Sequence, residues 1–523
     1  MKKQLLLFFL ILSIISLLQA QSGLNIFNNS SVHTIKMYTS FPNFWDTMTV
    51  RYNESIDLGG SGGMSLGSND PILFDSIVID GNKIDSCGVK QKGYYSNWGA
   101  DTSLKKPLKI EFNEFVRGQR YDGLKEINLA NAFQDPTMMH DHLSYKILRD
   151  FNLPASRTSY ANVYINDDLW SLYVLVEQVG PKFLDEHFGD NNGNLYKAID
   201  SDLKYLGMND SLYKLQFEKK SNESIDDWSD LINLTKTIRD THIDTINKIF
   251  NVELFLKTLA IDVSLNNWDS YFDAGRNFYL YNDTITKKFQ WIPWDYNLAF
   301  SKEEYDILLQ DTRTRKPLIL KCFNNPDWKK KYFDYLCDVN SNIMTLDHIE
   351  DFIDDTKTLI STSVANDPNG FYTYNQFDSS IVYNLSEAVE IFPGTWDTFI
   401  TKGLKPFIVD KQVFILDQFS LEFYTCVDTI NTSIPDNYIV SNNMISILPN
   451  PSADYIQFIT LDGPIADAQM QIISMNGTTI RNEKITNNII DISTLSNGMY
   501  MVQLIINPEA SGQIFKGKFL VLH

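Results

Sequence analysis

Histidine and cysteine are scarce in this chain of 523 residues, with seven of the first and four of the second. No His-Glu-x-x-His occurs, and no histidine pairs with a Cys-x-x-Cys, which argues against a structural or catalytic zinc site. His140 and His142 lie two apart in a helical pattern, so they point to different faces and read as core or surface residues, not ligands. The Gly-x-Ser-x-Gly turn of a serine hydrolase is missing, as is the Gly-x-x-x-x-Gly-Lys-Ser/Thr phosphate loop. Gly59-Gly60-Ser61-Gly62-Gly63 is a flexible glycine loop with no following lysine or helix pattern. Positive charge is also in deficit: 45 Lys and Arg stand against 65 Asp and Glu, a formal net charge of −20. That excludes a non-specific nucleic-acid binder and leaves room for a local lysine cluster on a nucleotide.

Long apolar runs are missing too, with one exception. Lys2 and Lys3 precede the run from Leu5 to Leu18, which ends at Gln19-Ala20-Gln21. This is the pattern of a removable export signal over residues 1–20, with the mature chain starting near Gln21. An uncleaved anchor is the competing reading, but the run falls short of the roughly 20 residues a membrane helix needs. No cysteine near the cleavage point offers a lipid attachment site. No transmembrane segment is expected in the mature chain, which would pass through the periplasm to the outer cell surface or medium. Export permits disulfides, and four cysteines allow three pairings. Cys322 and Cys337 are the expected bridge because they are closest in sequence; buried free thiols are the alternative.

What is abundant is core material, 43% apolar with 13% aromatic residues, enough for two or three domains. Alternating runs at Val32–Tyr38, Ile72–Ile79 and Leu108–Phe112 predict strands. A helix is expected over 137–151, then a hairpin of Tyr160–Ile165 and Trp170–Val176 around Asn166-Asp167-Asp168. The strongest helix pattern covers 246–265, followed by short strands Phe278–Tyr281 and Phe289–Ile292. From 303 to 425 the pattern reads mostly helical. From about 440 the runs become short and alternating, as in a small β-sandwich over 440–523.

The densest chemistry lies between 262 and 297: Asn266-Asn267-Trp268-Asp269-Ser270-Tyr271, Arg276-Asn277-Phe278-Tyr279-Leu280-Tyr281 and Trp291-Ile292-Pro293-Trp294-Asp295-Tyr296-Asn297. Asp269 is expected at the end of a buried helix, Asn277 at the start of a strand and Asp295 at the close of a hairpin. Phosphoryl transfer needs such a set, one acid for a hydroxyl and oxygen ligands for a divalent ion. The bland alternative is that these are turn formers.

These residues resemble the spore coat protein H (CotH) kinase family. The resemblance extends over roughly 30–425, through Gly88-Val89-Lys90-Gln91-Lys92-Gly93, Lys105-Lys106-Pro107-Leu108-Lys109-Ile110-Glu111-Phe112, Asp135-Pro136-Thr137-Met138-Met139, Leu172–Val179 and Gly193-Asn194-Leu195-Tyr196-Lys197. It implies an α+β, atypical protein-kinase-like fold over 21–435, mostly β at about 24–200 and mostly α at about 220–430. It further implies ATP and a divalent metal (Mg or Mn) as cofactors and a protein Ser/Thr acceptor as partner. By position, Asp269 looks like the catalytic acid, while Asn277, Asp295 and Asn297 look like metal ligands. Lys92, Lys106 and Lys109 fall in the nucleotide- and phosphate-binding region; of Lys106 and Lys109, opposite in facing on a strand, one would contact phosphate. Glu177 looks like the lysine-pairing acid. Two departures stand out: Tyr94-Tyr95-Ser96 where the family has Asn-Ser-Ser, and the neutral Asn297 where it has an acid. They keep open a catalytically degenerate surface binding or adhesion protein.

The C-terminal residues Leu448-Pro449-Asn450-Pro451, Asn476-Gly477, Ile492-Ser493-Thr494-Leu495, Asn497-Gly498-Met499-Tyr500 and Lys516–Val521 resemble the type A sorting domain of type IX secretion substrates. This implies the type IX secretion machinery as a partner.

Overall fold

Alternating strands in the first third of the chain close on themselves. The computed structural model describes residues 21–55, 69–100, 102–301, 304–392, 395–422, 424, 426, 443–444, 446–448, 452–459, 468–474, 479–506 and 513–521. The residues 1–20, the glycine loop at 59–63, 449–451 and 476–477 therefore lie outside the described residues. Strands β1 (His33–Tyr38), β2 (Ile72–Ile79), β3 (Asn82–Gln91), β4 (Leu108–Glu111), β5 (Glu126–Ala130), β6 (Thr158–Ile165) and β7 (Asp168–Val176) form a closed barrel in the order β1-β2-β3-β4-β5-β7-β6. Closure comes from parallel pairing of β1 with β6, Ile35 opposite Val163, and leaves no unpaired sheet edge. Ile35, Phe74, Val89, Ile110, Leu129, Val163 and Leu175 share its core.

The strand patterns at 33–38, 72–79 and 108–111 are present as expected, and so is the β6–β7 hairpin. Asn166 and Asp167 both take positive φ, 50° and 70°, the backbone a tight two-residue hairpin turn requires. Strand β3 escaped the sequence pattern because its first half is polar and exposed. Strand β7 is buried on both faces from Ser171 onward. Tyr173 and Leu175 belong to the barrel core, whereas Leu172, Val174 and Val176 belong to the larger core behind it. That double burial explains its unbroken apolar run and fastens the barrel to the rest.

The longer helices are α1 (Phe44–Ser55), α2 (His140–Asp150), α3 (Ser229–Asp240), α4 (Val252–Ser264), α5 (Pro326–Asp338), α6 (Leu346–Ala365) and α7 (Leu404–Leu421). Helix α4 is shorter than the pattern over 246–265 because Asn251 caps it, accepting from Leu254 N at 3.1 Å. Ten of its thirteen residues are buried, so it runs through the core. Beside it lies a four-stranded sheet, order β11-β10-β8-β9, of β8 (Leu195–Ala198), β9 (Phe217–Lys219), β10 (Phe278–Asn282) and β11 (Phe289–Pro293). Phe278 stacks on Trp291 at 4.1 Å between ring centroids, worth about 0.5–1.5 kcal/mol beyond burial.

One expectation needs correction and another is sharpened. The stretch 303–425 is mostly helical, as expected, and also carries an antiparallel hairpin of β12 (Leu385–Phe392) and β13 (Thr395–Thr401), whose second strand is rich in β-branched and aromatic residues. The disulfide joins Cys337 to Cys426, with Cα atoms 5.6 Å apart, and not Cys322 to Cys337. Cys322 lies in the hydrophobic core as a free thiol, as does Cys87. Nearness in sequence failed because α5 carries Cys337 away from Cys322 and toward the chain leaving α7.

The chain divides into two compact units, Met1–Asp428 and Thr429–His523. In the second, Asn443–Met444, Gln513–Val521, Gly498–Ile506, Ala468–Ser474 and Thr479–Ile485 make a five-stranded sheet. Ser446–Leu448, Tyr455–Ile459 and Ile489–Asp491 make a three-stranded one. Ile447, Ile456 and Phe458 of the smaller sheet share one buried cluster with Met470, Ile472 and Val502 of the larger. Among the described residues, no helix is long and apolar enough to cross a membrane.

Candidate functional site

The site is built where α4 and the β10–β11 hairpin end together. Helix α4 stops at Ser264, and Asn266 turns the chain with φ 48°, a left-handed conformation that asparagine tolerates. Asp269 therefore lies five residues past the helix, in a turn held by Asn267 N to Asp262 O and Ser270 N to Asn267 O. Asn277 immediately precedes β10, and its carbonyl accepts from Trp294 N at 3.1 Å. That bond closes the hairpin, so Asp295 emerges beside Asn277. Both residues take left-handed backbone, φ 60° and 61°.

The Asn277 amide donates to Asp269 Oδ2 at 2.9 Å and to the Asp269 carbonyl at 3.0 Å. Arg276 Nε lies 3.5 Å from Asp269 Oδ1. Burial pushes the Asp269 carboxyl up to about 7, against the pull of Arg276 and with the Asp295 charge adding to the rise. The structure thus brings together Asp269, Asn277 and Asp295.

Helix α2 clasps the Asp295 segment residue by residue. Asp295 N donates to the Tyr145 hydroxyl at 3.0 Å, and Tyr296 N donates to Asp141 Oδ1 at 3.0 Å. His140 Nδ1 lies 3.0 Å from the Asn297 carbonyl oxygen. His140 and His142 are both buried. Asp141, between them, is the acid that the sequence concealed. Its carboxyl is raised above the usual range by burial first and the Asp295 charge second, as two acids sharing one desolvated place require. A further buried acid, Asp262 of α4, accepts from the Tyr296 hydroxyl at 2.6 Å and is pushed up to about 7 by burial.

Two lysines face Asp295, and Lys109 stands near both of them. Lys92 donates to Asn128 Oδ1 at 3.0 Å and sits 5.5 Å from the Trp294 ring. Burial lowers its ammonium to about 8, while Asp295 offsets part of that fall and Lys197 and Lys109 add to it. Lys197 of β8 stands opposite Tyr279 of β10, and burial lowers it too, with Asp295 pulling the other way. Gly193 lets β8 come this close: a Cβ there would sit 1.9 Å from the Asn282 carbonyl oxygen. Lys109 pairs with Glu126 at 2.6 Å and lies 3.6 Å from Glu111. The sequence motif gives Lys197 no role, because only the β8–β10 register delivers it to the site.

Two expected residues stand elsewhere. Lys106 lies before β4, buried, and donates to the Asn97 carbonyl at 2.8 Å. It thereby holds the turn that carries Tyr94 and Tyr95, so strand alternation does not govern its facing. Glu177 is not paired with a lysine; Arg157 grips it through Nε at 2.9 Å and through Nη2, a fork that suits a carboxylate better than an ammonium does.

Among the described residues, no three His, Cys, Asp or Glu side chains come close enough to hold a metal by themselves. A divalent ion suited to one or two carboxylates plus phosphate oxygens fits what is present. Asp141 and Asp295 repel one another in a desolvated place, and the adjacent lysines bring positive charge beside them.

The chain is 23% identical over 278 residues to inner spore coat protein H of Bacillus subtilis, covering 50% of this chain and 75% of that protein. It is 22% identical over 220 residues to spore coat protein homolog 1 of Rhizopus delemar, covering 39% and 36%. Among solved structures it matches the Helicobacter pylori proinflammatory kinase CtkA at 14% identity, over 60% of this chain and 95% of that one. The TM-score there is 0.25, too low to bear on the fold. Residues 446–514 match a secretion system C-terminal sorting domain, which indicates delivery to the cell surface or beyond. Residues 89–390, running from the end of β3 through α2, α4 and both ends of the site, match the description "CotH kinase protein", and the chain belongs to that family.

Proposed function

We propose that this is a secreted atypical protein kinase that transfers the γ-phosphoryl group of ATP to a Ser or Thr hydroxyl of a protein. The observation that carries the reading is the convergence of Asp269, Asn277 and Asp295 with Lys92 at one largely desolvated place. Bound ATP with Mg²⁺ or Mn²⁺ supplies the phosphoryl group and neutralises charge on the phosphates. Asp295, with Asp141 behind it, holds the ion; Lys92 and Lys197 hold phosphate oxygens. Asn277 fixes Asp269 Oδ2, which leaves Oδ1 to take the proton of the acceptor hydroxyl as its oxygen bonds to phosphorus. The bond from the γ-phosphorus to the bridging oxygen breaks, and ADP leaves. The barrel then corresponds to the nucleotide-binding half of a kinase-like fold. The two C-terminal sheets form a sandwich that addresses the chain to the type IX secretion machinery.

Asn297 favours a second reading, a surface binding protein without turnover, because a neutral amide stands beside Asp295 where the resemblance expects an acid. Asp141 tips the balance to catalysis by bringing a second carboxylate from α2. Incubating the purified mature chain with labelled ATP and Mg²⁺ or Mn²⁺ separates the two. Label on an acceptor protein or on the chain itself supports the kinase; no label with either ion, at normal folding, supports the binding protein.

A further inference from the structure

Helix α7 lies beyond the family-matched residues 89–390, yet it reaches the site from behind. Lys411, near the middle of α7, has a side chain only 1% exposed and donates to Asn266 Oδ1 at 2.6 Å. Glu304 stands 3.5 Å away, and Asp306 is a second acid whose charge acts on it. Asn266 is the left-handed residue that turns α4 into the Asp269 turn. Its carbonyl accepts from Ser301 Oγ at 2.9 Å, and Phe300 N donates to Leu265 O at 2.7 Å. One turn earlier on α7, Phe407 packs edge-on against Phe300 at 5.2 Å. Lys411 therefore fastens a residue at which the turn carrying Asp269 and the segment following Asp295 are joined. Burying an ammonium costs several kcal/mol unless its partners are well placed, so this contact is not an incidental surface pair. The end of α7 is itself tied down, since Cys426, five residues past Leu421, is bonded to Cys337 at the end of α5.

We infer that Lys411 is a positioning residue that sets the Asp269 turn through Asn266, so that α7 is part of the catalytic apparatus without touching substrate. The inference rests on the kinase reading for its effect on rate, and on geometry alone for its effect on the turn. Preorganised geometry of this kind matters because misplacement by about 1 Å can cost on the order of 100-fold in rate.

The test uses the full mature chain as wild type, Lys411→Met and Lys411→Gln, with three readouts. Hydrogen exchange should show faster exchange at the amides of Asn267 and Ser270 in both variants, with α2 and the barrel unchanged. The turnover number should fall about 10- to 100-fold, while KM for ATP and the thermal shift with ATP and Mg²⁺ stay within twofold of wild type. Adding Lys411→Met to Asn266→Ala should cost no more than a further twofold, because both remove the same bond. Unchanged exchange at 267–270, an equal rise in KM, or full additivity with Asn266→Ala overturns the inference. If Lys411→Met fails to fold, Lys411→Gln carries the same readouts with a neutral donor retained; failure of both to fold makes Lys411 a folding residue and also overturns it. Should wild type transfer no phosphate, the kinase reading falls, while the exchange result still decides the role of Lys411.

Discussion

Asp269 and Asp295 face the same place but are held in opposite ways. Asp295 is clasped from the side of α2, which takes its amide on Tyr145 and the next amide on Asp141. Asp269 is held from the helical side, by the end of α4, the Asn277 amide and the α7 contact at Asn266. The two sides meet through side-chain bonds from Tyr296 to Asp262 and from Ser301 to the Asn266 carbonyl. An acid that must keep a metal gains from a second carboxylate and rigid backbone. An acid that must accept a proton gains from burial that lifts its pKa toward neutrality. On the proposed kinase reading, the surroundings divide the labour between two similar residues.

The largest expected break is on the Asp269 side. Replacing Cys337 and Cys426 by Ser opens a link across 89 residues and should lower stability by about 2–5 kcal/mol. Denaturant melts should show this loss, with transfer rate falling before ATP–metal binding does as α7 loosens. Equal loss of both would erase the distinction between the sides.

The next effect is on the Asp295 side. Asp141→Asn removes the buried second acid and should weaken Mg²⁺ or Mn²⁺ binding about 10- to 100-fold, read by metal titration at fixed ATP. Unaltered metal affinity would leave Asp295 acting without Asp141.

The smallest effect sharpens the junction. Asp262, raised to about 7 when folded against about 3.9 unfolded, binds its proton more tightly in the native state. Stability from this group therefore rises as pH falls from 7 toward 4 and is lost above 7. Asp262→Asn should flatten that dependence by on the order of 1 kcal/mol per pH unit. Melts of both proteins between pH 5 and 8 check it, and parallel curves would contradict it.

Much of the site was legible because Asp269, Asn277 and Asp295 are local: a helix end, a strand start and a hairpin close within 27 residues name them. What was not legible depends on pairings between distant segments. Lys197 enters through the β8–β10 register, Asp141 through the approach of α2, and Lys411 from a helix beyond the motif. The same blindness misdirected Glu177, whose partner Arg157 sits on the neighbouring chain segment, and Cys337, whose partner is far along the sequence. In the fold, alternation revealed β1, β2 and the β6–β7 hairpin. It missed β3, where polar exposure hides the period, and the hairpin at 385–401 inside a helical stretch.

The division between the two acids is tested most directly by thermal-shift titration of Asp295→Asn and Asp269→Asn with ATP and Mg²⁺ or Mn²⁺. Wild type at about 100 times its dissociation constant should gain roughly 2.7 kcal/mol. Asp269→Asn should keep that gain and lose phosphoryl transfer; Asp295→Asn should lose both. The account is contradicted if Asp295→Asn keeps the shift, or if both variants still transfer phosphate.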